Sequence, residues 1–340
     1  MMIHLSLNKT LFYFECIRIK RTIINIQSNS ESMEHIGELG STMSFLLEES
    51  NRTSENIETG LTELDKITAG CRKSELIVIA GERGMGKTAF MITLLRNMLY
   101  ERKVSLFEDK LSIAYFSVIE NKFLVTSFLL STICNVSIQQ LRDGKLMPSQ
   151  KMDIEQALKK IEGSSLFIDD RSELSVSDIK ESLEKLSIED NARIDAIFID
   201  GLNLMNLDGE LCMHTDKALG LTILGLKALA KSYEVPVFVS FQTDQTDTER
   251  SETRPCSCDL YKKNSQFDSS DMMWFIYRPE YYHITEDLNG NSLIGTAEVI
   301  VSKNAGHTGI AKMNFKHDFH RFEDIILPEA EPEPVFGKYD

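Results

Sequence analysis

Residues Leu76 to Thr88 constrain this chain more than any other stretch. Five apolar residues, Leu76-Ile77-Val78-Ile79-Ala80, run into Gly81-Glu82-Arg83-Gly84-Met85-Gly86-Lys87-Thr88. A helix-like segment from Lys87 to Tyr100 follows. This is the G-x-x-x-x-G-K-[ST] spacing in its strand, loop, helix setting. Gly81, Gly84 and Gly86 let backbone N–H groups curl around an anion, and the helix opening at Lys87 adds its positive end. Lys87 supplies a point charge for the β and γ phosphates. The Thr88 hydroxyl is placed to ligate magnesium. The stretch therefore predicts a nucleoside triphosphate with Mg2+, held by Gly81, Glu82, Arg83, Gly84, Met85, Gly86, Lys87 and Thr88. The competing reading is a glycine-rich turn that holds Lys-Thr by chance, and the flanking strand and helix argue against it.

Such a loop needs a sheet behind it, and the chain has the rhythm of one. Strands are predicted at Leu76–Ala80, Ser112–Ile119, Ser165–Asp169, Ala196–Asp200 and Val235–Phe241. Helices are predicted at Lys87–Tyr100, Lys122–Cys134, Ser175–Leu186 and Thr215–Ser232. Met272–Tyr277, Ala297–Ser302 and Ile310–Phe315 read as closing strands. Strand-helix alternation predicts a mostly parallel α/β sheet covered on both faces.

Two further strands end in polar residues. Asp200 closes Ala196-Ile197-Phe198-Ile199, at the crevice where open α/β sheets bind ligands. It is predicted to support the metal with Thr88. Gln242 closes Val237-Phe238-Val239-Ser240-Phe241 and is predicted to sense the γ phosphate or orient the attacking water.

The 340 residues carry a net charge of −15, which argues against coating nucleic acid over the whole surface and leaves room for a local basic patch. The six cysteines are scattered, and Cys256-Ser257-Cys258 lacks zinc-site spacing. The apolar stretch from Leu5 to Ile26 is broken by Lys9, Arg18, Lys20 and Arg21, so no membrane span is predicted and a cytoplasmic protein is expected.

Residues 1–32 read as a leader, or as the result of a start assigned too early, with Met33 as the alternative start. Residues 33–56 hold a helix-like stripe, Ile36, Leu39, Met43, Leu46 and Leu47, and then a polar linker. That helix either docks on a neighbour or packs on its own domain. Residues 57–325 form the predicted nucleotide-binding domain, and residues 326–340 an acidic, Pro-containing tail expected to be disordered.

A resemblance extends well beyond the phosphate loop. Ile57-Glu58-Thr59-Gly60-Leu61-Thr62-Glu63-Leu64-Asp65-Lys66-Ile67-Thr68-Ala69-Gly70 resembles the opening of the helicase domain of DnaB-type replicative DNA helicases. Gly84 to Phe90, Ile199 to Met205, Leu226 to Lys231 with Val235 to Val237, Arg254-Pro255 with Asp259-Leu260, and Tyr277-Arg278 with Glu280-Tyr281-Tyr282 are similar to that family in the same order. The resemblance implies a RecA-like core and ATP with Mg2+ bound between subunits. It also implies a homo-oligomeric ring, usually hexameric, around single-stranded DNA, and contacts with a loader or primase.

The chain departs from that family's pattern in four places. The family's Phe-Ser-Leu-Glu-Met stretch reads Phe116-Ser117-Val118-Ile119-Glu120-Asn121 here. The glutamate position holds Ile119, and Glu120, the candidate base, comes one residue late. On a strand, one residue turns a side chain to the other face unless a bulge restores it. The family's Lys-Gln-Arg reads Lys303-Asn304-Ala305-Gly306-His307, which keeps Lys303 as a trans-acting candidate and lacks the arginine. The DNA-contacting loop reads Tyr261-Lys262-Lys263-Asn264, where lysines can neutralise phosphates and tyrosine can stack on a base, or where the loop is simply solvated. The resemblance begins at Ile57, so a chain without the family's separate N-terminal domain is expected. Two functions are therefore expected to compete. One is an ATPase that translocates on or unwinds DNA, with Lys87, Glu120 and Gln242 catalytic. The other is an ATP-binding assembly module with little hydrolysis. The match around Ile57 and Arg278 argues against a recombinase-like or clock-like relative that shares only the RecA-type core.

Overall fold

The computed structural model describes residues 56–101, 111–189, 192–206, 216–243, 265–304 and 307–325. The helix-like stripe before Ser50, the leader, the tail and Tyr261-Lys262-Lys263 lie outside them.

Among the described residues one sheet of nine strands runs β3-β2-β4-β5-β1-β6-β7-β8-β9. Its first half is β1 (Leu76–Gly81), β2 (Ser112–Ser117), β3 (Ser165–Asp169), β4 (Ala196–Asp200) and β5 (Val237–Gln242), all paired in parallel. β6 (Met272–Tyr277) adds a last parallel pairing to β1. β7 (Thr296–Asn304), β8 (Gly309–Lys316) and β9 (Arg321–Asp324) then continue antiparallel.

Both faces of the central strands are covered, so β1, β2, β4 and β6 are buried along their whole length. Alternate residues enter two separate cores. Ile77, Ile79, Tyr115, Phe198, Phe238 and Trp274 pack toward α2 (Lys87–Arg96) and α3 (Lys122–Cys134). Val78, Ala80, Ile197, Ile199, Val239 and Phe275 pack toward α6 (Val176–Glu189) and α7 (Asp216–Tyr233). Between α3 and β3 lie α4 (Ile138–Asp143) and α5 (Pro148–Glu162). A short α1 (Thr62–Thr68) precedes β1.

Several boundaries shift by a few residues from the sequence expectation, and three of the shifts have a plain local reason. The helix after the phosphate loop is α-helical only to Arg96, and Asn97–Glu101 widens into a π turn where the Asn97 amide donates to the Thr59 carbonyl at 3.1 Å. β5 starts at Val237 rather than Val235, because Glu234 takes a left-handed φ of 54° and Pro236 has no N–H to pair. β2 ends at Ser117 rather than Ile119, and this third difference decides where Glu120 goes.

Candidate nucleotide site

β1 lies beside β5, and β5 lies beside β4. The C-terminal ends of these strands therefore bring Gly81, Gln242 and Asp200 to one edge of the sheet. An open cavity of about 570 Å³ occupies that edge. Arg83, Gly84, Gly86, Lys87, Thr88, Glu120, Asn203, Gln242, Arg278 and His317 are among the residues around it.

The loop takes the form that its glycines allow. Gly84 and Gly86 have φ of 84° and 94°, and Gly86 stands immediately before the first residue of α2. A Cβ on Gly84 would come within 3.0 Å of the Tyr281 ring. The Lys87 ammonium folds back onto its own loop, donating to the carbonyls of Gly81 and Glu82 at 2.9 Å each. Burial lowers its pKa to about 8, against the opposing pull of the Asp200 and Glu82 charges. A triphosphate beside it would favour the charged form. Gly81, Glu82 and Met85 do not line the cavity. Gly81 and Glu82 offer carbonyls to Lys87, and Met85 is packed in the core.

Asp200 is fully buried. The Thr88 hydroxyl donates to its Oδ2 at 2.7 Å, the Ser240 hydroxyl to its Oδ1 at 2.5 Å, and the Tyr115 hydroxyl lies 3.4 Å from Oδ2. Burial raises the Asp200 pKa, while hydrogen bonds from Ser240 and Thr88 and the Lys87 charge work against that rise. One carboxylate and one hydroxyl suit Mg2+, which takes one or two protein oxygens and completes its shell with phosphates and water. The residues therefore fit the ion that the loop predicts.

Glu120 reaches the cavity without a bulge. Past Ser117 the chain bends, and the Glu120 N–H donates to the Ser117 hydroxyl at 3.1 Å. Asn121 then caps α3 by accepting from the Leu124 N–H at 3.0 Å. Strand alternation therefore does not govern residues 119 and 120, and both line the cavity. Ile119 packs over Gly201, whose φ of 116° and 2.9 Å clearance admit no side chain. Burial, and next the Asp200 charge, raise the Glu120 pKa.

Gln242 is exposed at the end of β5. Asn203 fixes its backbone from both sides, accepting from the Gln242 N–H at 2.6 Å and donating to its carbonyl at 3.0 Å. The other end of the cavity is ionic. Arg278 donates to the Gly84 carbonyl at 3.3 Å and to Glu280 at 2.6 Å, and lies 4.1 Å over the Phe315 ring. His317 Nε2 is 2.6 Å from the same Glu280 oxygen.

Residues 56–324 match the family described as DnaB-like helicase C terminal domain. The chain belongs to that family. Among its relatives are the replicative DNA helicase DnaB of Geobacillus stearothermophilus, 29% identical over 81% of this chain and 58% of its own length, and a probable replicative DNA helicase of Trieres chinensis, 27% identical over 92% and 68%. The replicative DNA helicase DnaB of Buchnera aphidicola (Acyrthosiphon pisum) is 30% identical over 79% and 56%. The chain thus spans little more than half of the Geobacillus and Buchnera relatives. The ATPase domain of G40P shares the fold, with a TM-score of 0.74 at 21% identity over 87% of this chain and 100% of that one. A DnaB-like replicative helicase described with its primase interactions gives a TM-score of 0.73 at 21% identity, over 89% and 70%.

For this DnaB-like domain, four side chains at the site had not been singled out from sequence. Ser240 sits two residues before Gln242, so strand parity gives it the same face, opposite Asp200 in the β4–β5 register. Asn203 follows Asp200 by three residues on a short turn. Tyr115 and His317 carry no local signal, since one is a core aromatic by pattern and the other a surface histidine. Lys303 does not join the cavity. Its ammonium donates to the carbonyls of Phe267, Asp268 and Ser270 in its own chain, and burial lowers its pKa. Among the described residues no group of three His, Cys, Asp or Glu could hold a metal, and no helix is long and apolar enough to cross a membrane.

Proposed function

We propose that this chain is the motor domain of a replicative-type helicase, which binds ATP with Mg2+ and hydrolyses it to move on or unwind DNA as a ring of identical subunits. The observation that carries the reading is the meeting of Lys87, Thr88, Glu120 and Gln242 at one cavity, with the buried Asp200 carboxylate directly behind Thr88 and bonded to it, inside a DnaB-like C-terminal domain. In this reading the phosphate loop and Lys87 hold the triphosphate. Thr88 and Asp200 hold Mg2+, which draws charge from the phosphates. Glu120 takes a proton from the attacking water, a role suited to a carboxylate whose pKa is raised. Gln242 reports the γ phosphate to the segment after β5, which leads to Tyr261, Lys262 and Lys263, the proposed DNA contacts.

A second reading has one specific observation in its favour. Lys303 is engaged within its own chain, and Lys303-Asn304-Ala305-Gly306-His307 contains no arginine to stabilise a neighbour's γ phosphate. On this basis the chain would bind ATP, switch assembly state and turn over slowly. ATP turnover with and without single-stranded DNA separates the two. DNA-stimulated turnover that is lost in Lys87→Ala supports the motor. Tight ATP binding with background turnover, unmoved by DNA, favours the assembly module.

A further inference from the structure

Strand parity places three hydroxyl or carboxylate groups side by side on the face of the sheet that meets α2. Asp200 lies on β4, opposite Ser240 on β5 and opposite Ser117 on β2, two residues above Tyr115. Phe198 and Phe238, two residues before Asp200 and Ser240, point to the same face and stack on one another at 4.6 Å between ring centroids. The Asp200 carboxylate therefore stands buried at the top of an apolar column, where hydrogen bonds must satisfy its oxygens.

Ser240 contributes most to this. Its hydroxyl donates to Asp200 Oδ1 at 2.5 Å and accepts from the Gly201 N–H at 2.9 Å, so it is fixed from two directions. It holds Oδ1 toward β5 and thereby turns Oδ2 toward Thr88. Tyr115 stands beneath Oδ2, its ring fully buried and stacked on Phe198 at 6.1 Å. Its hydroxyl at 3.4 Å is beyond the usual hydroxyl bond length, so its contribution is the weaker of the two.

We propose that Ser240 and Tyr115 are positioning residues that aim the Asp200 carboxylate at the metal, with Ser240 fixing its rotation and Tyr115 supporting it from below. This rests on the reading of Thr88 and Asp200 as the Mg2+ holders. Tyr115 is buried behind the cavity, and Ser240, although it lines the cavity, has its hydroxyl taken up by Asp200 and the Gly201 N–H, so neither is assigned a nucleotide contact. Their effect falls on the part of nucleotide affinity that Mg2+ adds, and leaves alone the part supplied by the loop N–H groups and Lys87.

The test is ATP affinity of the full chain in Mg2+ and in chelator, with Mn2+ binding followed by electron paramagnetic resonance as a second readout. Removing a hydrogen bond to a charged group predicts that Ser240→Ala loses about tenfold of the Mg2+-dependent gain, with chelator affinity unchanged. Tyr115→Phe, which keeps the ring, is expected to lose about twofold of that gain and to keep the wild-type Tm, since only a long contact is removed. Mn2+ affinity of the nucleotide complex should fall in the same order. Equal losses with and without metal, accompanied by a lower Tm, would mean a structural role alone and overturn the proposal. So would variants that keep the full metal-dependent gain. A wild-type chain that shows no metal-dependent gain at all would overturn the metal reading beneath it, and that outcome is visible before any variant is made.

Discussion

The two ends of the cavity are built on different principles. At the Asp200 end, parallel strands deliver a buried carboxylate surrounded by hydroxyl groups from Thr88, Ser240 and Tyr115. At the Arg278 end, the segment after β6 and the turn after β8 deliver charges that satisfy one another, with Arg278, His317 and the Gly295 N–H all on Glu280. At the first end Asp200 has no ion pair among the described residues, and Lys87 and Glu120 act on it only through their charges, which leaves its carboxylate suited to holding a cation. The second is already neutralised, and its link to the cavity is the Arg278 bond to the Gly84 carbonyl. That bond helps keep a loop carbonyl turned outward, so that N–H groups remain free to face an anion. The contrast teaches that the charge able to act on a ligand sits at the parallel-strand end, while the antiparallel end braces the loop.

Substitutions can break this contrast. The largest effect is expected from Lys87→Ala, which removes the point charge for the phosphates and should weaken ATP binding by about a hundredfold, on the order of 3 kcal/mol. Isothermal calorimetry with the triphosphate would measure it. Next, Glu280→Gln at the bracing end should leave the metal-dependent part of ATP affinity intact and lower stability by about 1–2 kcal/mol, through weaker bonds from Arg278 and His317. Loss of the metal-dependent gain in this variant would erase the distinction between the two ends. A pH titration of stability sharpens it further. Burial alone would raise the Glu280 pKa, but hydrogen bonds from Arg278, the Gly295 N–H and His317 outweigh burial and hold it below its usual 4.5. Its contribution is therefore fully present above the ordinary glutamate range and disappears as pH falls through the lowered folded value. Urea melts at decreasing pH should show a shallower acid loss in Glu280→Gln than in the wild type. The smallest effect is expected from Lys303→Ala, about 1 kcal/mol in a thermal melt, since among the described residues that ammonium bonds to backbone carbonyls.

Much of this was readable in the residues, for reasons that differ by element. Buried parallel strands such as Leu76–Gly81 and Ala196–Asp200 are unbroken apolar runs, and the glycine and lysine spacing after the first admits few other structures. The α4–α5 pair lies outside the strand-helix alternation, yet local signals for it are present. The Ser137–Gln140 capping box opens one helix and Pro148 the other. The side of the sheet that Glu120 takes is not legible in the residues, because strand alternation stops at Ser117 and strand ends are set by tertiary bonds such as the Val118 N–H to the Asp200 carbonyl. The Arg278–Glu280–His317 cluster joins residues 39 positions apart and has no local pattern to read.

In the proposed mechanism Glu120, one residue out of step with the DnaB-type pattern, is still the base that activates water. Single-turnover ATP hydrolysis by Glu120→Gln, with ATP affinity measured in parallel, checks that role. Loss of a general base predicts that hydrolysis falls by about a hundredfold or more while ATP affinity stays within about twofold of wild type. Hydrolysis at the wild-type rate in Glu120→Gln would remove Glu120 from the reaction.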